Sequence, residues 1–126
     1  MTADTNVVVR LLVEDAPNES ARAKRLFEAG AVFIPDTVFM ETEWVLRAAY
    51  GCRADEIADA FRSLLRLETV RVADRTKMVS AIDHFSAGLD FADALHFVCG
   101  DGEGMKTFDR MFIKRGQRRG LAVSAP

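Results

Sequence analysis

The chain has little of what several functional classes require. Only two cysteines occur in 126 residues, Cys52 and Cys99. Their spacing suits neither a zinc site nor a redox pair. A domain of this length buries a core without disulfide staples, so the two thiols point to a reducing, cytoplasmic setting. No apolar run approaches the roughly 20 residues of a membrane span. The opening Met1-Thr2-Ala3-Asp4 has no signal-peptide pattern. Repeats, low-complexity stretches and linkers are missing too, so one domain over residues 1–126 is expected. No Ser-His-Asp or Cys-His arrangement offers a side-chain nucleophile.

A basic surplus is also missing. Seventeen basic residues stand against nineteen acidic ones, a net charge of −2, which excludes a generally basic nucleic-acid coat. The distribution is uneven. From Met105 onward, Lys106, Arg110, Lys114, Arg115, Arg118 and Arg119 oppose Asp109 alone, which makes that segment +5 and leaves −7 for residues 1–104. Taken by itself, a basic terminal segment is a solvated helix.

What is present is a globular composition, 49% hydrophobic and 29% charged. Val7–Val9 and Leu11–Val13 form an apolar run that pattern alone leaves open between strand and short buried helix. Asn18 to Ala29 reads as an amphipathic helix followed by Gly30. Ala31–Ile34, ended by Pro35, reads as a buried strand. Asp36 or Thr37 can cap a helix to Tyr50, and Asp55–Leu67 shows a clear helical stripe. Val70–Val72, Met105–Thr107 and Leu121–Ser124 are further strand candidates. Asp74 can cap a helix to about Ala87, Asp90 one over Phe91–Cys99, and a basic helix spans about Asp109 to Arg118. Short apolar strands alternating with helices imply a parallel sheet covered on both faces, with ligands gathering at the strands' carboxyl ends.

Acids interrupt this apolar pattern. Phe91–Cys99 holds only two polar side chains, Asp93 and His96, and a buried carboxylate needs a cap, a cation or a metal. Completing the Asp90 cap is the plain structural alternative. Glu41 breaks the Val38, Val45, Ala48 face, and Glu43 breaks the Phe39, Leu46, Tyr50 face, so spacing does not choose between them. Asp4 and Asp109 each follow a candidate strand, where a lone Asp is ordinarily a turn former or cap. In a parallel sheet, such acids converge at one edge, and hard divalent cations neutralise the cluster.

At these residues the sequence resembles a PIN-domain protein, and in particular a VapC-type toxin ribonuclease. The resemblance rests on Asp4-Thr5-Asn6-Val7-Val8-Val9-Arg10, on Ile34-Pro35-Asp36 leading into Glu41-Thr42-Glu43-Trp44, on Gly88-Leu89-Asp90-Phe91-Ala92-Asp93-Ala94, and on Thr107-Phe108-Asp109-Arg110. It implies a three-layer α/β/α fold, a central parallel sheet flanked by helices. It further implies a magnesium-dependent endoribonuclease, with manganese as a substitute. By this likeness the metal-binding and catalytic acids are Asp4, Glu41 (rather than Glu43), Asp93 and Asp109. Asn6 and Thr107 help orient ligands or water. Lys106, Arg110, Lys114 and Arg115 then hold an RNA backbone, while His96 is a rim histidine or a proton relay and His84 a surface residue. The family implies tRNA or ribosomal RNA as substrate, a cognate antitoxin, and a homodimer for which Trp44 and Tyr50 are candidate contacts. Only Met1–Ala3 precede Asp4, a shorter lead than the family's usual first strand. The alternatives are a magnesium-dependent phosphatase, disfavoured by Asn6 two residues after Asp4, and a non-catalytic interaction module.

Overall fold

The run that pattern leaves open, Val7–Val9 and Leu11–Val13, is helical up to Leu12, with Val13 extended beyond the helix end. Asp4 caps it with its side chain, and Thr5, Val8 and Val9 turn inward at helical spacing. The cap and the buried stripe together override the β preference of three consecutive valines. This computed structural model describes residues 1–126, and its contacts divide the chain into two compact units, Met1–Arg75 and Thr76–Pro126.

The first unit contains α1 (Thr5–Leu12), α2 (Pro17–Ala29), β1 (Val32–Phe33), α3 (Asp36–Ala48), α4 (Ala54–Arg66) and β2 (Val70–Arg71). Strands β1 and β2 run parallel, with Val32 opposite Val70 and Phe33 opposite Arg71. A parallel bridge pairs Thr2 with Phe33. Phe33 donates its N–H to the Met1 carbonyl at 2.7 Å, and Ala3 donates to the Phe33 carbonyl at 3.0 Å. Thus β1 lies between the amino-terminal segment and β2, and the short lead before Asp4 suffices for pairing. Helix α3 begins at Asp36 after Pro35 with no side-chain cap, so the expected cap by Asp36 or Thr37 is absent. Pro35 fixes the entry instead. Phe39 and Phe61 meet edge to face, centroids 5.2 Å apart, inside a core with Ile34, Leu46, Ile57 and Leu64.

The second unit contains α6 (Phe91–Val98), β3 (Met105–Lys106), α7 (Arg110–Arg118) and β4 (Val123–Ser124), preceded by α5, which begins at Arg75 and ends at Ser86. Strands β3 and β4 are parallel, with Met105 opposite Val123 and Lys106 opposite Ser124. Phe85 packs edge to face on Phe91 at 5.3 Å, in a core that includes Met78, Ile82, Leu95 and Phe112. The parallel α/β architecture is as expected, but the ladder is not one continuous sheet. It consists of two two-stranded pairs, one in each unit. β1 meets Pro35 and β4 meets Pro126 within two residues, and β3 meets the Asp109 cap at the third, so little ladder can form.

Gly104 sets the entry to β3. Its φ is +108°, and a Cβ there would stand 2.9 Å from the Ala122 carbonyl oxygen. Both the backbone conformation and the close approach require glycine. Gly104→Ala is expected to lower unfolding stability by about 1–3 kcal/mol, measured by urea denaturation. An unchanged midpoint would show that this turn is not fixed as described.

Candidate active site

The carboxyl ends of the first unit's parallel strands deliver two acids to one cavity. Asp4 follows the Thr2–Ala3 segment, and Glu41 lies one and a half turns into α3, the helix that follows β1. Together with Thr5, Asn6, Val9, Arg10, Val45, Ala49 and Tyr50 they line a cavity of about 550 Å³. Asp4 is exposed, and its Oδ1 accepts the Thr5 N–H at 2.7 Å. Its second oxygen takes no hydrogen bond from the protein and is available to a ligand. The cap reading and the ligand reading of Asp4 therefore use different oxygens.

Burial shows which of the two interrupted stripes on α3 faces the core. Glu41 is exposed on the cavity wall, whereas Glu43 is 3% exposed and shares the inward face with Phe39 and Leu46. Glu43 accepts from Arg47 Nε at 2.8 Å, one turn on, so its carboxylate is already committed to a cation. Thr42 beside it is fully buried with its hydroxyl unpaired.

Sequence reasoning missed the role of Arg10. Its guanidinium reaches Glu19 at 2.7 Å, Asp15 at 3.1 Å and the Tyr50 hydroxyl at 3.1 Å. Tyr50 in turn donates to Asp15 at 2.9 Å. The Glu19 hydrogen bond, followed by that to Tyr50, pushes the Arg10 pKa well above its ordinary value. This network ties α1 to α2 and to the end of α3, fixing one wall of the cavity. It also engages Tyr50, which is half-buried, while Trp44, the other candidate dimer contact, is 59% exposed. A signal was present in the sequence: Arg10 is the only charge in an otherwise apolar run.

In the second unit, Asp90 caps α6 by accepting the Asp93 N–H at 3.1 Å, as expected. Asp93 is half-buried and is not the cap. Burial first, then the charges of Asp90 and Asp109, push its carboxyl pKa up, against a smaller opposing effect of His96. Asp109 caps α7, its Oδ1 accepting from Met111 and Phe112 at 2.9 and 3.1 Å. Thr107 accepts the Asp109 N–H on its hydroxyl at 3.0 Å, so its part is to hold the turn that carries Asp109. His96 is exposed, and His84 is half-buried rather than fully on the surface. His84 Nδ1 accepts from Arg119 Nε at 3.3 Å, and its pKa is lowered, chiefly by burial. Arg110, Lys114 and Arg115 are exposed without carboxylate partners, and Lys106 donates to the Ser124 hydroxyl at 2.8 Å.

The profile of the PIN domain matches residues 1–117. The chain belongs to the PIN-domain family. The match spans both units and contains all four acids. No curated protein matches the sequence. PIN domains are in general metal-dependent nucleases. The donor chemistry in this PIN domain fits a hard divalent ion, because the candidate ligands are carboxylate oxygens, two of them with an oxygen free, and Asp93 sits among like charges. In neither unit do three His, Cys, Asp or Glu side chains close around a common point.

The raised Asp93 pKa gives a stability prediction. The folded state holds that proton more tightly than the unfolded chain. Stability from this group is therefore fully present below the ordinary carboxyl range near pH 3.8 and is lost as pH rises through the raised value. Asp93→Asn removes the charge and is expected to raise the melting temperature at neutral pH in chelator. The gain should shrink toward pH 4, where the wild-type carboxyl regains its proton. A variant that melts lower than wild type at pH 7 would contradict this.

Proposed function

We propose that this PIN domain is a magnesium-dependent endoribonuclease, with manganese as a substitute ion, and that it is the VapC-type toxin of a toxin–antitoxin pair acting in the cytoplasm. The observation that carries this reading is the PIN match over residues 1–117, which includes Asp4, Glu41, Asp93 and Asp109. A divalent ion, when bound, acidifies water and offsets the charge that develops on phosphate oxygens during in-line displacement. Asp4 and Glu41 offer oxygens from one cavity of the first unit. Asp93 and Asp109, which feel each other's charge, offer them in the second. Asn6 lies beside Asp4 on the same cavity and is suited to orient a ligand through its amide. Thr107 acts through Asp109 by holding its turn.

An acid-rich reaction centre has to retain a polyanion. Lys106, Arg110, Lys114 and Arg115 supply the counter-charge, and cations without carboxylate partners are the ones available to phosphates. RNA is the substrate in this reading, with tRNA or ribosomal RNA loops as the class, since unpaired nucleotides expose the base edges that duplex RNA hides. The cognate antitoxin is expected to block the acids with a basic side chain.

The test is internal cleavage of structured RNA with magnesium present and chelated. Asp93→Asn is expected to keep its fold and lose more than about 100-fold in cleavage rate, since losing a ligand should exceed the effect of losing a supporting residue. Undiminished cleavage by that variant removes Asp93 from the machinery. Phosphate release from small esters without internal RNA cuts favours the phosphatase reading instead.

The homodimer is a separate proposal, and the 59% exposure of Trp44 supports it. Light scattering at micromolar concentration should give twice the chain mass of 14.0 kDa, with Trp44→Ala shifting it toward the monomer. A wild-type monomer overturns this.

A further inference from the structure

We propose that Phe108 is a base-stacking residue that receives one unpaired base of an RNA whose adjoining phosphates lie on Lys106 and Arg110. The inference rests on the RNA reading above and adds a residue that selects unpaired over duplex segments. Phe108 is 83% exposed. Its exposure is not the looseness of a mobile loop, because the backbone on both sides is held. Thr107 donates its N–H to the Ser124 carbonyl at 3.1 Å, and Asp109 donates to the Thr107 hydroxyl at 3.0 Å. Asp109 caps α7 in turn, and Phe112, one turn into that helix, is 5% exposed and anchors it. The chain therefore buries one phenylalanine of this segment and presents the other to solvent.

The chemistry around Phe108 selects its occupant. Lys106 and Arg110 lie two residues away on either side, and Lys114 follows Arg110 at the i+4 spacing that shares a helix face. All three are exposed and none pairs with a carboxylate. An aromatic ring interleaved with cations that no carboxylate neutralises is the arrangement that stacks bases and tracks a phosphate backbone. A protein partner would need an apolar area of several hundred Å². Here only Met111, 49% exposed, accompanies Phe108 among the large apolar side chains of this segment.

The experiment is fluorescence anisotropy of the full chain with a labelled single-stranded RNA and with the matching duplex, both in chelator so that no cleavage occurs. Phe108→Ala should weaken single-strand binding by about 5- to 100-fold and leave duplex binding within about 2-fold. Phe108→Trp should retain single-strand affinity within about 3-fold, while Phe108→Leu should behave as the alanine variant. Phe108→Ala should leave the salt dependence unchanged, and Arg110→Ala should reduce its slope by about 1. Wild-type affinity in Phe108→Ala, equal rescue by leucine, or no RNA binding by wild type each overturns the proposal. So does a loss confined to self-association in sedimentation, which assigns the ring to a protein contact. Binding that follows this pattern in a wild type that makes no cut with magnesium leaves the stacking role standing and refutes the nuclease reading.

Discussion

Parallel pairing dictates where this chain can do chemistry. Two parallel strands must leave their ladder at the same edge, and each strand here is only two residues long. The hand-over from strand to helix therefore comes almost at once, and its first polar residue stands at the ladder's end. Asp4 follows the segment paired with Phe33, and Asp109 follows β3. Both use one oxygen to start a helix. The geometry that makes an aspartate a good cap also holds its second oxygen outward at a fixed place. Structural and chemical roles are thus not rivals at these positions.

The same economy fails for Asp93, and that failure is informative. Asp90 already caps α6, so Asp93 has no backbone donor to satisfy. It is half withdrawn from water beside two other acids, and the result is a carboxyl that resists ionisation. Glu43 shows what a purely structural buried acid looks like in this fold: it has its own arginine one turn away. The contrast between a paired carboxylate and a crowded one is a physical reason to assign Asp93, rather than Glu43, to a ligand.

Much of this was legible in the sequence. Six helical segments and four strand positions follow from periodicity, glycine and proline, with ends shifting by no more than two residues as fraying termini do. The helix at Val7–Leu12 was open because a short run of apolar residues broken only by Arg10 fits a strand or a buried helix equally, and the Asp4 cap and the buried stripe together decide it. Glu41 and Glu43 lie about 200° apart on α3, so each broke an apolar stripe, and spacing could not say which stripe faced the core. The family likeness chose Glu41; burial shows that the Glu43 stripe is the one facing the core and that Glu41 is exposed. Ladder length was not legible, because hydrogen-bond pairing is a property of two distant segments. Nor was the Arg10 network, whose partners Asp15, Glu19 and Tyr50 come from three different places in the chain.

The uneven charge takes on a different meaning in this light. The amino-terminal surplus of acid and the basic tail look like opposites that cancel to −2. Locally they do not cancel, since Arg110, Lys114 and Arg115 pair with no carboxylate even though Asp109 is adjacent in sequence. Asp109 spends Oδ1 on the backbone of Met111 and Phe112 instead. An acid held by the backbone and cations left to solvent keep the two signs separate at close range. That separation is what a phosphodiester reaction demands: negative oxygens for a divalent ion, and positive side chains for the strand on either side of the bond to be cut.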